Sequence, residues 1–258
     1  MSTDTWDPAQ YERFEHERSA PFFDLLELVK PCPGGRVVDL GCGTGELSRA
    51  LHERPRAGRT VGLDSSPAML KRSADYTGYG LIFELGDIAE WAPSRPVDLI
   101  FSNAALHWID DHDALFTRLT RALLRGGQLA VQLPANHDHP SHLLAERVAT
   151  EEPFRAALGG YLRRTPVLAP ERYAQLLHRL GCGTQHVRLQ VYMHLLPEPE
   201  AVVDWVKGTL LTDYRRRLPD RVYEDFVARY RELLVSELPD ERPFPFSFKR
   251  VLLWGRLA

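Results

Sequence analysis

Between Val37 and Gly45 the chain passes from a short apolar run, through one acid, into a loop with glycine at every second position. Val37-Val38-Asp39-Leu40 has the β-branched content of a buried strand, and Gly41, Gly43 and Gly45 follow at once. Glycine is needed where a backbone must turn sharply or approach a ligand with no Cβ in the way. Glu46 to Glu53 then place Leu47, Ala50 and Leu51 on one face, which predicts a helix. A strand that hands over through such a loop to a helix N-terminus is a nucleotide-binding geometry at the carboxyl end of a first parallel strand.

Three more strand ends follow in order. Thr60-Val61-Gly62-Leu63-Asp64 is a second strand closing on an acid, and an Asp about 20 residues beyond the glycine loop can accept both hydroxyls of a ribose. Leu81-Ile82-Phe83-Glu84 leads into the acidic turn Leu85-Gly86-Asp87-Ile88, and Val97 to Asn103 forms a fourth strand. Helical patterns between them predict a parallel sheet covered on both faces. The glycine spacing differs from the dinucleotide G-x-G-x-x-G because the third glycine falls one residue early, which argues against an NAD(P)-dependent oxidoreductase.

The 258 residues suffice for one large domain or a core with insertions, and 44% hydrophobic content suits a globular chain. A formal net charge of -3 argues against a general nucleic-acid surface. No segment reads as a signal peptide, and no apolar run approaches the roughly 18 residues that span a bilayer. Three cysteines (Cys32, Cys42, Cys182) make no disulfide framework and fit a cytoplasmic location.

Around this core, Phe22 to Leu28 predict an amphipathic helix after Pro21, ended by Pro31 to Gly35. Ser65-Ser66-Pro67 predicts a capped helix start. Asp113 to Leu124 predicts a helix stopped by Arg125-Gly126-Gly127, and Gln128 to Pro134 a fifth strand. The alternation then falters. A helix near His142 to Thr150, a helix over Pro170 to Leu180, a sixth strand over His186 to Leu196, a helical stretch over 197–245 and a last strand over Phe248 to Leu257 complete the plan. The expected organisation is one domain, with a cofactor-binding core at 31–134 and cap insertions at about 135–169 and 197–245.

The stretch Asp39 to Gly45 resembles motif I of the S-adenosylmethionine-dependent methyltransferases. Almost the whole chain is similar to one family of them, the trans-aconitate 2-methyltransferases. The resemblance is carried by Trp6-Asp7-Pro8 with Tyr11, Arg18 and Pro21, then Asp64 to Met69, Asn103 to Trp108, Val131-Gln132-Leu133-Pro134, Gly181-Cys182, Tyr192-Met193-His194, Asp204-Trp205-Val206 and Phe244-Pro245-Phe246. It implies an α/β, Rossmann-like doubly wound sheet of seven strands, the last antiparallel, with a helical cap over the substrate side. It implies a monomer that uses S-adenosyl-L-methionine to esterify one carboxylate of a small polycarboxylic acid, with no nucleic acid, membrane or metal involved. For the cofactor it implies Asp39, Gly41, Cys42, Gly43 and Gly45, then Asp64 at the ribose with Ser65 and Met69 nearby. Asp87 and Ile88 would hold the adenine, and Asn103, Ala104 and Trp108 would complete the site. Two places depart from some relatives: Ala20-Pro21 stands where they have Arg-Pro, and Gly208 to Arg215 replaces a Leu-Arg-Pro.

An ionised carboxylate needs no general base, so no catalytic residue is singled out; a polyanion does need cations and donors, because an unpaired buried carboxylate is costly. Tyr11, Arg18, His107, Gln132, His194 and Arg215 are the substrate candidates, with Lys207, Tyr192 and Tyr214 behind them. Each has a plainer reading. Arg215-Arg216-Arg217 is equally a solvated helix face, His107 a packed residue, Trp108 a core aromatic and Cys42 a small filler. His137, His139 and His142 lack metal-ligand spacing. Another small organic acid, a hydroxylated metabolite or a non-catalytic cofactor-binding role stay open as alternatives.

Overall fold

The computed structural model describes residues 15–258, with side chains from Ser19 onward. Helix α1 (Glu15–Leu26) leads to β1 (Arg36–Leu40), α2 (Glu46–Glu53), β2 (Arg59–Asp64), α3 (Pro67–Ser73), β3 (Leu81–Leu85) and β4 (Val97–Asn103). A single turn of 3₁₀ helix (Leu106–Trp108) precedes α4 (His112–Arg121) and β5 (Leu123–Pro134). Then come α5 (Pro140–Thr150), α6 (Phe154–Ala157), α7 (Pro170–Arg179) and β6 (Cys182–Leu196). Finally α8 (Ala201–Lys207), α9 (Leu210–Arg215) and α10 (Asp220–Glu237) lead to β7 (Phe244–Leu257).

The seven strands form one sheet in the order β3-β2-β1-β4-β5-β7-β6. The first five are parallel; β7 runs antiparallel to β5, and β6 antiparallel to β7. Alternation sorts the core. Val37, Leu99, Phe101, Ala130 and Leu252 pack with Phe22, Leu25 and Leu26 of α1 and Leu51 of α2. Their neighbours Val38, Ile100, Leu129, Val131 and Leu253 face the other way, onto Leu115, Phe116 and Leu119 of α4 and Tyr173, Leu176 and Leu177 of α7. A third apolar cluster joins α5, α6, α8, α9 and α10 to Phe244, Phe246 and Phe248 at the start of β7. The order in which successive strands are added reverses between β1 and β4, and that switch point is where open α/β sheets bind ligands.

Several boundaries move. Pro21 lies inside α1, not before it, because burial of Phe22, Leu25 and Leu26 holds the helix despite one missing N–H. Leu123 already pairs with Val97, so the helix before it ends at Arg121 and Gly126-Gly127 sit in a register shift inside β5. Strands β6 and β7 are longer than the alternation alone predicts, since Cys182 pairs with Leu257 and Leu196 with Phe244 in one continuous ribbon. Tyr11 falls outside the described residues. Arg18 lies in α1, but its side chain is outside them.

Candidate active site

The glycine loop is built from the end of β1. Gly41, Gly43 and Gly45 have φ of 82°, 57° and 80°, the left-handed region that an L side chain resists. A Cβ on Gly41 would stand 2.2 Å from that of Ala105, whereas one on Gly43 would meet nothing within 4 Å. So Gly41 is required by packing, while Gly43 faces open space. Asp64, at the end of β2, binds the loop: its Oδ2 accepts from Gly43 N at 2.9 Å and its Oδ1 from Ser66 N at 2.9 Å. Ser66 caps α3 by accepting from Met69 N at 3.2 Å, with Pro67 in the first turn as its sequence predicts. Met69 is buried and Ser65 exposed.

Asp39 is buried, accepts from Ser48 Oγ at 2.6 Å, and is pushed up to about 7 by burial, which outweighs that hydrogen bond. Burial likewise raises the Cys42 thiol, so it stays protonated and fills space beside Gly62. Asp87 is exposed, with Oδ1 accepting from Ala89 N at 2.8 Å; Ile88 beside it packs on the core. Arg118 of α4 donates to the carbonyls of Ile88, at 2.8 Å, and of Trp91, and so fixes this turn.

Beyond β4 the backbone is unusual. Ala104 adopts φ 53° although it is not glycine, and its N–H donates to Gln132 O at 3.0 Å. Asn103 and Gln132 are paired in register, and Ser102 Oγ donates to Leu40 O at 2.7 Å, tying β4 to β1 at the switch point. Several buried polar atoms here have no hydrogen-bond partner among the described residues: Asn103 Oδ1, His107 Nδ1, both side-chain heteroatoms of Gln132, Asn136 Nδ2 and Tyr214 Oη. Orphans of this kind are rare and expensive in a folded core, so a group of them is a candidate place for ordered water or a polar ligand.

A small cavity of about 40 Å³ opens on this cluster, lined by His107, Asn136, His142, Glu146, Arg163 and Thr165 among others. Arg163 lies over the Trp108 indole at 5.2 Å and donates to Leu210 O at 3.3 Å. Burial first, then the charges of Arg163 and Arg250, pushes His107 down to about 3, so its ring is neutral; His142 is lowered by burial and Arg163 as well. Burial holds Glu146 above the usual carboxylate range.

Of the substrate candidates, His107 and Gln132 reach this cluster. His194 of β6 lies tilted against Trp205 of α8 at 4.6 Å, and Tyr192 donates to Asp24 at 2.6 Å. Lys207 pairs with Asp204 at 3.1 Å. Arg215 is exposed, pairs with Asp220 at 3.6 Å and covers Tyr223, so the fold leaves it outside the cavity: the short α9 turns it to solvent. His137 and His142 line the cavity while His139 caps α5, and no group of metal-ligating residues forms among the described residues. Sequence reasoning passed over Arg163 and Arg250. Arg163 sits in a loop without periodicity, and Arg250 in the last strand, where a cation on a buried strand is the available signal.

Residues 37–127 match the model of a methyltransferase domain family. The chain is 44% identical to a trans-aconitate 2-methyltransferase of Deinococcus radiodurans over 96% of both chains. It is 41% identical to one of Streptomyces coelicolor, over 98% of this chain and 86% of that one. Among solved structures, the YcgJ protein of Bacillus subtilis has the same fold, with a TM-score of 0.61 at 14% identity over 93% of this chain and 99% of that one. A Haemonchus contortus phosphoethanolamine N-methyltransferase 2 in complex with S-adenosyl-L-methionine superposes with a TM-score of 0.51 at 15% identity, over 93% of this chain and 53% of that one.

Proposed function

Because the chain belongs to the trans-aconitate 2-methyltransferase family, we propose that it transfers a methyl group from S-adenosyl-L-methionine to one carboxylate of trans-aconitate. The observation that carries this reading is that two sites share one sheet edge. The glycine loop and the cluster of unpartnered polar atoms meet where Ala105 packs against Gly41.

The residues fit the cofactor. Open space over Gly43 leaves room for the methionine portion, the Asp64 carboxylate stands beside it for the ribose, and Asp87 with Ile88 forms a turn suited to the adenine. S-adenosyl-L-methionine supplies a methyl group already activated on a sulfonium, so the protein has to align an acceptor and exclude water. An ionised carboxylate is its own nucleophile. Gln132, Asn136 and a neutral His107 offer donors that would orient it, at the strand edge that also carries Asn103.

We read 135–169 and 197–245 as the cap over this pocket, since their helices share one apolar cluster with the start of β7. On the same reading the enzyme is a cytoplasmic monomer that acts without nucleic acid or membrane. Its cysteines are free, and no helix among the described residues is long and apolar enough to cross a membrane.

The test is methyl transfer from tritiated donor to a panel of di- and tricarboxylic acids. Highest kcat/KM on trans-aconitate is expected. A preference for neutral hydroxylated acceptors would overturn the reading.

A further inference from the structure

We infer that Arg163 is the residue that receives one carboxylate of the acceptor and so sets specificity for a polycarboxylic acid, with His107 and Asn136 as its hydrogen-bonding partners in the same cavity. The inference rests on the methyl-transfer reading above.

Arg163 is half-buried, and no carboxylate of the described residues is ion-paired with it. Its partners among the described residues are weak for a guanidinium: one carbonyl at 3.3 Å and the face of Trp108. An Arg fork matches a carboxylate in two parallel hydrogen bonds, and stacking on an aromatic ring pre-orders the fork. The other atoms facing the cavity complete the picture. His107 Nδ1 and Asn136 Nδ2 are buried without partners, and both can donate. Tyr214 Oη is a third unpartnered donor, within reach of the charges of Arg163 and Glu146.

Size decides what fits. At about 10–15 Å³ for each water held, a cavity of about 40 Å³ has room for roughly three waters. That accommodates one carboxylate group and not a six-carbon acid, so the cavity is a subsite while the rest of the acceptor lies toward Gly41 and Ala105. Glu146 shares the lining, and its burial disfavours the charged form, which limits its competition for Arg163. Trp108 connects the two halves. It follows His107 in the 3₁₀ turn and carries the guanidinium on its face, so the turn that ends at the donor side also holds the acceptor's cation.

The experiment measures KM for trans-aconitate, Ki for three dicarboxylic analogues each lacking a different carboxylate, and Kd of S-adenosylhomocysteine by calorimetry. Arg163→Met should raise KM for trans-aconitate about 10- to 100-fold, the span of a charged hydrogen bond, with Kd of S-adenosylhomocysteine changed less than twofold. One analogue, the one lacking the carboxylate that Arg163 reads, should keep its Ki within threefold, while the other two weaken as trans-aconitate does. Arg163→Lys, which keeps the charge and loses the fork, should fall between; it carries the test if Arg163→Met does not fold. A KM unchanged within twofold, or equal losses for all three analogues, overturns the inference. A wild-type enzyme that binds these acids but does not methylate trans-aconitate overturns the methyl-transfer reading instead, and the Kd values of trans-aconitate and the three analogues, measured by calorimetry in wild type and Arg163→Met, then decide the role of Arg163 by the same pattern.

Discussion

The backbone N–H of Gly43 donates to Asp64 at 2.9 Å, so the acid that closes β2 also holds the glycine loop in shape. Asp64→Ala removes the acceptor for both Gly43 and Ser66, together with the group proposed for the ribose. S-adenosylhomocysteine binding should weaken by about 1.5–3 kcal/mol. Asp64→Asn keeps one acceptor oxygen and should lose less. Calorimetric titration measures both, and an unchanged Kd in the alanine variant would remove Asp64 from the cofactor site.

Gly41 and Gly43 should fail in different ways. Both need φ > 0, which costs an L residue about 1–2 kcal/mol. Gly41→Ala adds a Cβ 2.2 Å from that of Ala105, so it should lower the Tm of the free protein markedly. Gly43→Val meets no protein atom within 4 Å of its Cβ, so it should lose only the backbone cost in stability while cofactor affinity falls far more. Thermal unfolding with and without S-adenosylhomocysteine separates the two.

Asp39 makes stability and binding pH-dependent. Its native value near 7 lies above that of the unfolded chain, so the native state binds the extra proton between about pH 4 and 7. The stabilisation is fully present below the unfolded value and is lost as pH rises through about 7. Asp39→Asn should flatten that part of the stability profile. A positively charged ligand beside the loop favours the carboxylate, so binding near pH 6 should release protons in the wild type and not in Asp39→Asn. Calorimetry in buffers of different ionisation enthalpy reads this directly.

Asp87→Ala should weaken S-adenosylhomocysteine more than an analogue lacking the adenine amine, because the exposed carboxylate has no ion pair among the described residues at the turn that Arg118 fixes. Equal losses for both ligands would make Asp87 a purely structural residue.

Arg215→Ala should leave KM for the acceptor within twofold and stability within about 0.5 kcal/mol. Its ion pair with Asp220 is solvent-exposed, and its guanidinium covers the buried Tyr223 ring only from the solvent side. A large rise in KM would show that the cap rearranges in solution to bring it inward.

The local fold of the first half of the chain was legible in the sequence. Strand β1, the left-handed glycines, Asp64 and the capped start of α3 all follow from chemistry within a few residues of chain, where turn geometry and capping act locally. Boundaries drifted wherever pairing, not propensity, set them. Leu123 became strand because Val97 lay opposite, and the β6–β7 ribbon extended because each strand supplied the other's hydrogen bonds. The acceptor side was only partly legible. His107 and Gln132 follow strand ends and lie among the unpartnered polar atoms, whereas Arg215 faces solvent, since a charge run does not say which side of a short helix meets water.

What the sequence alone determined is the doubly wound core and the donor end of the chemistry, because strand period, glycine placement and acids at strand ends are short-range signals. What the tertiary structure decided is which cation faces the cavity. Arg163, His107 and Asn136 come from three separate segments and line one cavity, with Tyr214 of the helical layer close enough to feel the charge of Arg163. Burial then turns that meeting into chemistry: once water is excluded, unpartnered donors and a guanidinium without a carboxylate are costly until an anion joins them.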